Sequence, residues 1–157
     1  MSRLTSPRPS RFAPDWRLRR SLEFLEATVD TVPSLNRAVR FCDRLLAHLR
    51  PLENALGATH SHDEHLLAQV AKDSPALVTR VVRRRDVGQR LLEQLDQLRA
   101  EATRVRNLPA RGERLPFDQV VSLRNRALAW INSCRAHQRA VTACVQEGLL
   151  RDNGVSG

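Results

Sequence analysis

Four stretches of this chain repeat their apolar residues at intervals of three and four, the spacing that gathers side chains onto one face of a helix. No stretch shows the two-residue alternation of a half-buried strand. The first stripe is Leu18, Leu22, Leu25 and Val29, opening after Asp15 as its N-cap. The second is Leu35, Ala38, Cys42, Leu45, Leu49, Leu52 and Leu56, widened by Val39, Phe41 and Leu46. A third runs Leu77, Val81, Arg84, Gly88, Leu91, Leu95, Leu98, Ala102 and Val105. The fourth is Val120, Leu123, Ala127, Trp130, Cys134, His137, Val141 and Cys144. Four helices with one apolar face each, joined mainly by short connections, bury those faces most economically as an all-α up-down four-helix bundle. A length of 157 residues suits one such domain.

Prolines, glycines and capping residues divide the stripes. Pro33 and Ser34 are placed to start the second helix after a short turn, so the first two helices are expected to pack antiparallel. Pro51 falls inside the second helix, where it removes a backbone donor and clashes with the preceding turn, which predicts a kink near His48 to Pro51. Gly57 is expected to end that helix, leaving 58–74 as a connection with a short amphipathic piece around His65 to Val70. Ser74 and Pro75 form a cap and first turn for the third helix, Asn107 to Leu115 a loop, Pro116 the start of the fourth helix and Gly148 its end. The bundle is thus expected over 15–150, with a disordered, basic N-terminal arm at 1–14 and a flexible tail at 151–157.

The net charge of +9 arises from 26 basic and 17 acidic residues. Lys72 is the only lysine, Ile131 the only isoleucine, and tyrosine is absent, a bias that a GC-rich genome leaves whatever the function. The excess sits in residues 1–20 and in 79–90, where Arg83, Arg84 and Arg85 are consecutive, so it describes an arm and a local cluster more than a broad phosphate-tracking face. Nucleic-acid binding through the arm is one reading of that charge. Cys42, Cys134 and Cys144 show neither CxxC spacing nor an even count, and are expected to be reduced, buried core residues. The longest apolar run, Ala127 to Ile131, is far short of the roughly 20 residues a membrane span needs, and the N-terminus lacks a secretory stretch, so a cytoplasmic protein is expected. No P-loop, dinucleotide fingerprint, nucleophile elbow or HExxH is present, which leans against an enzyme.

The informative residues are polar groups standing in apolar stripes, because burying one without a partner costs about 1–3 kcal/mol. His137 lies between Cys134 and Val141, and Arg84, flanked by Arg83 and Arg85, interrupts the third stripe one turn before Gly88. His48 and Glu53 lie on opposite flanks of the second stripe, since five residues turn about 140° around a helix. The run His48-Leu49-Arg50-Pro51-Leu52-Glu53-Asn54-Ala55-Leu56 resembles the second-helix signature of hemerythrin-like proteins, and Arg135-Ala136-His137 ahead of Val141 and Thr142 resembles that family's last ligand helix. The order and length of the four helices agree over about 15–150.

That resemblance implies a bundle in which histidines and carboxylates from all four helices hold two irons that bind or sense oxygen. Here Leu52 stands where the family places a bridging carboxylate, Val141 and Thr142 stand where an acid is due after His137, the third helix offers Arg84, Arg85, Asp86 and Gln89 in place of histidines, and the first helix has no histidine. The resemblance therefore implies a degenerate site with most metal ligands lost. A fixed arginine charge near such a site opposes a metal and favours an acidic partner such as Glu53, or an anionic ligand.

A separate signal is His60, His62 and His65 with Asp63 and Glu64, a donor density that would suit zinc, nickel or copper if the loop folded around it. The sequence thus points first to a non-enzymatic bundle acting as a binding, sensory or accessory protein, without a cofactor, on a small ligand or protein partner through Arg84, Arg85, His137, His48 and Glu53. The alternatives are an iron or zinc protein with oxygen or redox function and a nucleic-acid-binding accessory protein.

Overall fold

The computed structural model describes residues 16–31, 37–108 and 117–154, and among them it contains four α-helices and no strand. Helix α1 spans Trp16–Asp30, α2 Ala38–Asp73, α3 Val78–Asn107 and α4 Phe117–Gly154, and a 3₁₀ turn, Pro75–Leu77, leads into α3. The expected arm at 1–14, the Asp15 cap, Pro33 and Ser34 of the expected turn, Leu35 of the second stripe, most of the loop ending at Leu115, Pro116, and residues 155–157 of the tail lie outside the described residues.

Cross-helix pairs fix the directions. From the start of α2 to its end, Asp43 meets Arg106, Glu53 meets Arg99 and Glu64 meets Arg85, so numbers on α3 fall as those on α2 rise and the two helices are antiparallel. Gln119 with Arg104, Trp130 with Leu91, and Glu147 with Arg80 do the same for α3 and α4. The Arg124 side chain donates to the Val29 carbonyl at 2.6 Å, satisfying one of the open carbonyls in the last turn of α1, and Arg135 pairs with Glu26. The molecule is an all-α four-helix bundle, and none of these helices is long and apolar enough to cross a membrane.

Each stripe faces inward. Leu18, Leu22, Leu25 and Val29 of α1 are buried, as are the second stripe from Ala38 to Leu56 and every apolar member of the third and fourth stripes. Trp130 is accommodated in the core because its indole N–H donates to the Leu91 carbonyl at 3.0 Å. Cys42, Cys134 and Cys144 are free and buried. Burial is the largest influence on each thiol and pushes Cys42 up to about 11 and Cys134 up to about 12, far from the thiolate range that redox chemistry needs.

Two boundaries differ from the sequence reading. Helix α2 does not stop at Gly57 but continues unbroken to Asp73, so the expected connection over 58–74 is mostly helix. A mid-helix glycine costs only about 1 kcal/mol, whereas the apolar period resumes at Leu67 and Val70, both buried, and outweighs it. The reversal into α3 is reduced to Ser74 and one 3₁₀ turn; the Ser74 side chain makes no capping bond, and its N–H donates to the Val70 carbonyl at 2.8 Å. Gly148 likewise does not end α4, which runs on to Gly154 through residues assigned to a flexible tail. Gly148 is a contact point: a Cβ there would sit 2.9 Å from Val70 Cγ1, so the missing side chain lets α4 approach α2.

The core falls into two blocks. The larger is built from α1, the first half of α2 to Leu56, α3 from Leu91, and α4 up to Cys134. The smaller contains Leu67 and Val70 of α2, Leu77, Val81 of α3, and Val141, Cys144 and Val145 of α4.

Candidate functional site: a polar layer between two apolar blocks

Between those blocks each of the three long helices turns a non-apolar residue inward. On α2, His60 and Asp63 occupy the gap between Leu56 and Leu67; on α3, Arg84 and Gly88 lie between Val81 and Leu91; on α4, His137 lies between Cys134 and Val141. Three-four spacing carries each stripe straight through this layer, so the polar groups have the direction of core residues without their chemistry.

Gly88 is the point where the layer closes. A Cβ on it would lie 2.7 Å from His60 Nδ1, 2.8 Å from His60 Cε1 and 3.2 Å from His137 Nε2. Two imidazoles, one from α2 and one from α4, therefore rest against the bare backbone of α3, their nitrogens no farther apart than those two distances together. His60 Nε2 also lies 3.7 Å from Glu64 Oε1, which is 3.3 Å from Arg85 Nε.

His137 is 6 % exposed and its Nδ1 is buried without a hydrogen-bond partner. Burial, then the Arg84 guanidinium, then His60 depress its pKa to about 4, so the ring is neutral near pH 7. Asp63 shows the complementary effect: burial lifts its carboxyl to about 6, with the charge of His62 acting in the other direction. Asp63 is near enough to Cys134 to help raise that thiol, which ties α2 to α4 at this level.

Beside the layer, between α3 and α4, is a cavity of about 220 Å³ lined by Arg80, Arg83, Arg84, Ala140, Ala143 and Cys144. Small residues on α4 make the space and arginines on α3 make its charge. Arg80 pairs with Glu147, which also accepts from Arg151 at 3.0 Å. Arg83 and Arg84 have no carboxylate partner among the described residues, and Arg84 is partly buried.

Of the five residues expected to form a ligand site, Arg84 and His137 are brought together. The other three are engaged elsewhere. His48 is stacked on Phe24 of α1, ring centroids 5.9 Å apart. Glu53 faces α3 and holds Arg99 at 3.1 Å, so it is not the acid that neutralises Arg84. Arg85 is exposed and pairs with Glu64.

The loop expected to carry the metal alternative at His60, His62 and His65 is instead part of helix α2. These residues form no loop; on a helix His62 and His65 point about 160° and 140° away from His60, and both are exposed while His60 turns inward. Among the described residues no group of three or more His, Cys, Asp or Glu is placed to hold a metal ion. The donors at Gly88, two imidazoles beside an arginine, do not fit the two-iron centre that the family resemblance implies.

Arg80 is the site residue that the sequence reading did not name, while His60 was assigned to a metal-binding loop and Arg83 only to the cluster flanking Arg84. The signal for His60 was present: Leu52, Leu56, His60, Asp63, Leu67 and Val70 continue the three-four spacing of the second stripe past Gly57. Arg80 and Arg83 carry no such signal, because a solvent-facing arginine and one lining a cleft look alike in sequence.

The fold and this layer define the chain as a helical bundle with a polar break in its core. Compared with known proteins, it matches no family model, no curated protein and no solved structure.

Proposed function

We propose that this chain is a non-enzymatic binding protein of the cytoplasm, hemerythrin-like in plan but with a degenerate metal site, and that its ligand is a small anion held at the α3–α4 cleft. The observation that carries this reading is the pair Arg83 and Arg84: two guanidiniums without a carboxylate among the described residues, at the edge of a cavity that opens beside the polar layer. A partly buried guanidinium presents donors in a planar fork that suits a carboxylate, sulfate or phosphate. About 220 Å³ is room for such a group with little attached to it, below the usual range for sites that enclose larger organic ligands.

The neighbours support the same assignment. Glu53 and Glu64 of α2 are committed to Arg99 and Arg85, not to Arg83 or Arg84. His137 keeps an unpartnered nitrogen and is held neutral partly by the charge of Arg84, so an anion that cancels this charge alters the protonation of a residue in the core. That coupling makes the site suitable for sensing as well as for storage.

The test is calorimetric titration of the full chain with inorganic phosphate, sulfate and acetate at low ionic strength, in wild-type protein and in Arg83→Ala/Arg84→Ala. Loss of charge-assisted hydrogen bonds is expected to weaken binding about tenfold or more while circular dichroism stays helical. Equal affinity in both proteins, or stoichiometric iron in protein made without a histidine tag, overturns the reading.

A further inference from the structure

A second basic cleft lies on the other side of α4, against α1. It has a volume of about 480 Å³, and Arg19 and Leu22 of α1 face Arg135, Gln138, Arg139 and Gln146 of α4 across it. Ala143 borders both clefts, but the arginines of the two sets are different residues on different helix pairs. Leu22, 1 % exposed, forms an apolar floor. Arg135 is neutralised by Glu26, while Arg19 and Arg139 have no ion pair among the described residues. Among the described residues no carboxylate lines the cleft.

We propose that this cleft is a second ligand site and that it takes a phosphomonoester with a compact organic body. Two guanidiniums without an ion pair among the described residues match the charge of a phosphomonoester, which approaches two negative charges at pH 7, and guanidinium forks suit its oxygens. The volume, more than twice that of the α3–α4 cleft and within the range of small-molecule pockets, leaves space beyond the phosphate. Gln138 and Gln146 offer uncharged donors and acceptors to the body of the ligand, and the Leu22 floor offers contact to its carbon skeleton. Arg135, already neutralised by Glu26, shortens the row of charge that a nucleic-acid backbone would track.

The experiment is calorimetric titration of the full chain with glycerol 3-phosphate, glucose 6-phosphate and AMP, in Arg83→Ala/Arg84→Ala protein and in Arg19→Ala/Arg139→Ala protein. Because those four arginines lie on the surface or at its edge, both variants are expected to remain helical by circular dichroism. The proposal predicts that at least one phosphomonoester saturates a single site in Arg83→Ala/Arg84→Ala protein and loses affinity about tenfold or more in Arg19→Ala/Arg139→Ala protein. Undiminished affinity in Arg19→Ala/Arg139→Ala protein overturns it, as does failure of all three compounds to bind, or a short DNA duplex competing with steep salt dependence. The two sites fail separately: phosphate binding lost in Arg83→Ala/Arg84→Ala but intact in Arg19→Ala/Arg139→Ala sustains the α3–α4 cleft while removing this one.

Discussion

At the scale of the residue, Gly88 decides whether the polar layer exists. Alanine on a helix is better than glycine by about 1 kcal/mol, so Gly88→Ala would stabilise the protein if the space above it were empty. It is not empty, because His60 Nδ1 and His137 Nε2 occupy it, and His137 is enclosed and cannot retreat. We expect Gly88→Ala to lower stability in urea denaturation by about 1–3 kcal/mol, the usual effect of overpacking. In a His60→Ala background the tightest contact is gone, and the same substitution is expected to become neutral or stabilising. A substitution effect that is identical in both backgrounds would show that His60 does not rest on α3. His137 was recognisable in the sequence because a lone imidazole at a core position of an otherwise apolar stripe stands out; its neighbour at Gly88, His60, was not recognisable as a core residue, since Gly57 disguised its inward register.

At the scale of the element, the long second helix is the feature that separates what the sequence made legible from what it did not. All four stripes were readable, because periodicity over several turns averages out local exceptions. Two helix ends were misplaced, because a glycine is both a common helix terminator and a residue that packing can carry through a helix interior. At Gly57 nothing lies within 4 Å of a built Cβ, so the residue serves neither a turn nor a close contact. Gly57→Ala is therefore expected to raise stability by about 1 kcal/mol, read as a shift of the denaturation midpoint. Destabilisation would mean that α2 breaks there after all. Gly148 differs, because Val70 fills the position its side chain would take. No feature of the sequence distinguishes the two glycines; the distinction comes from what the partner helix places opposite each.

At the scale of the whole molecule, two apolar blocks hold the bundle together and the layer between them contributes less to stability than apolar residues there would. His137 keeps an unpaired nitrogen, Asp63 is lifted to about 6 by burial, and two arginines beside them face no acid among the described residues. Exposed pairs such as Arg99 with Glu53 add at most about 1 kcal/mol each and serve mainly to set register, so they do not compensate for that layer. A fold that carries such a layer has its least stable level where the proposed ligand would attach, and binding there would stabilise the folded state by mass action. The most direct measurement is a pH titration of the His137 imidazole by nuclear magnetic resonance, with and without saturating phosphate. The account predicts a ring that stays neutral until the pH falls to about 4, with a midpoint that moves upward when phosphate offsets the charge of Arg84. A midpoint at the ordinary value of 6.5, unmoved by phosphate, would place His137 in solvent and contradict the polar layer on which the functional reading stands.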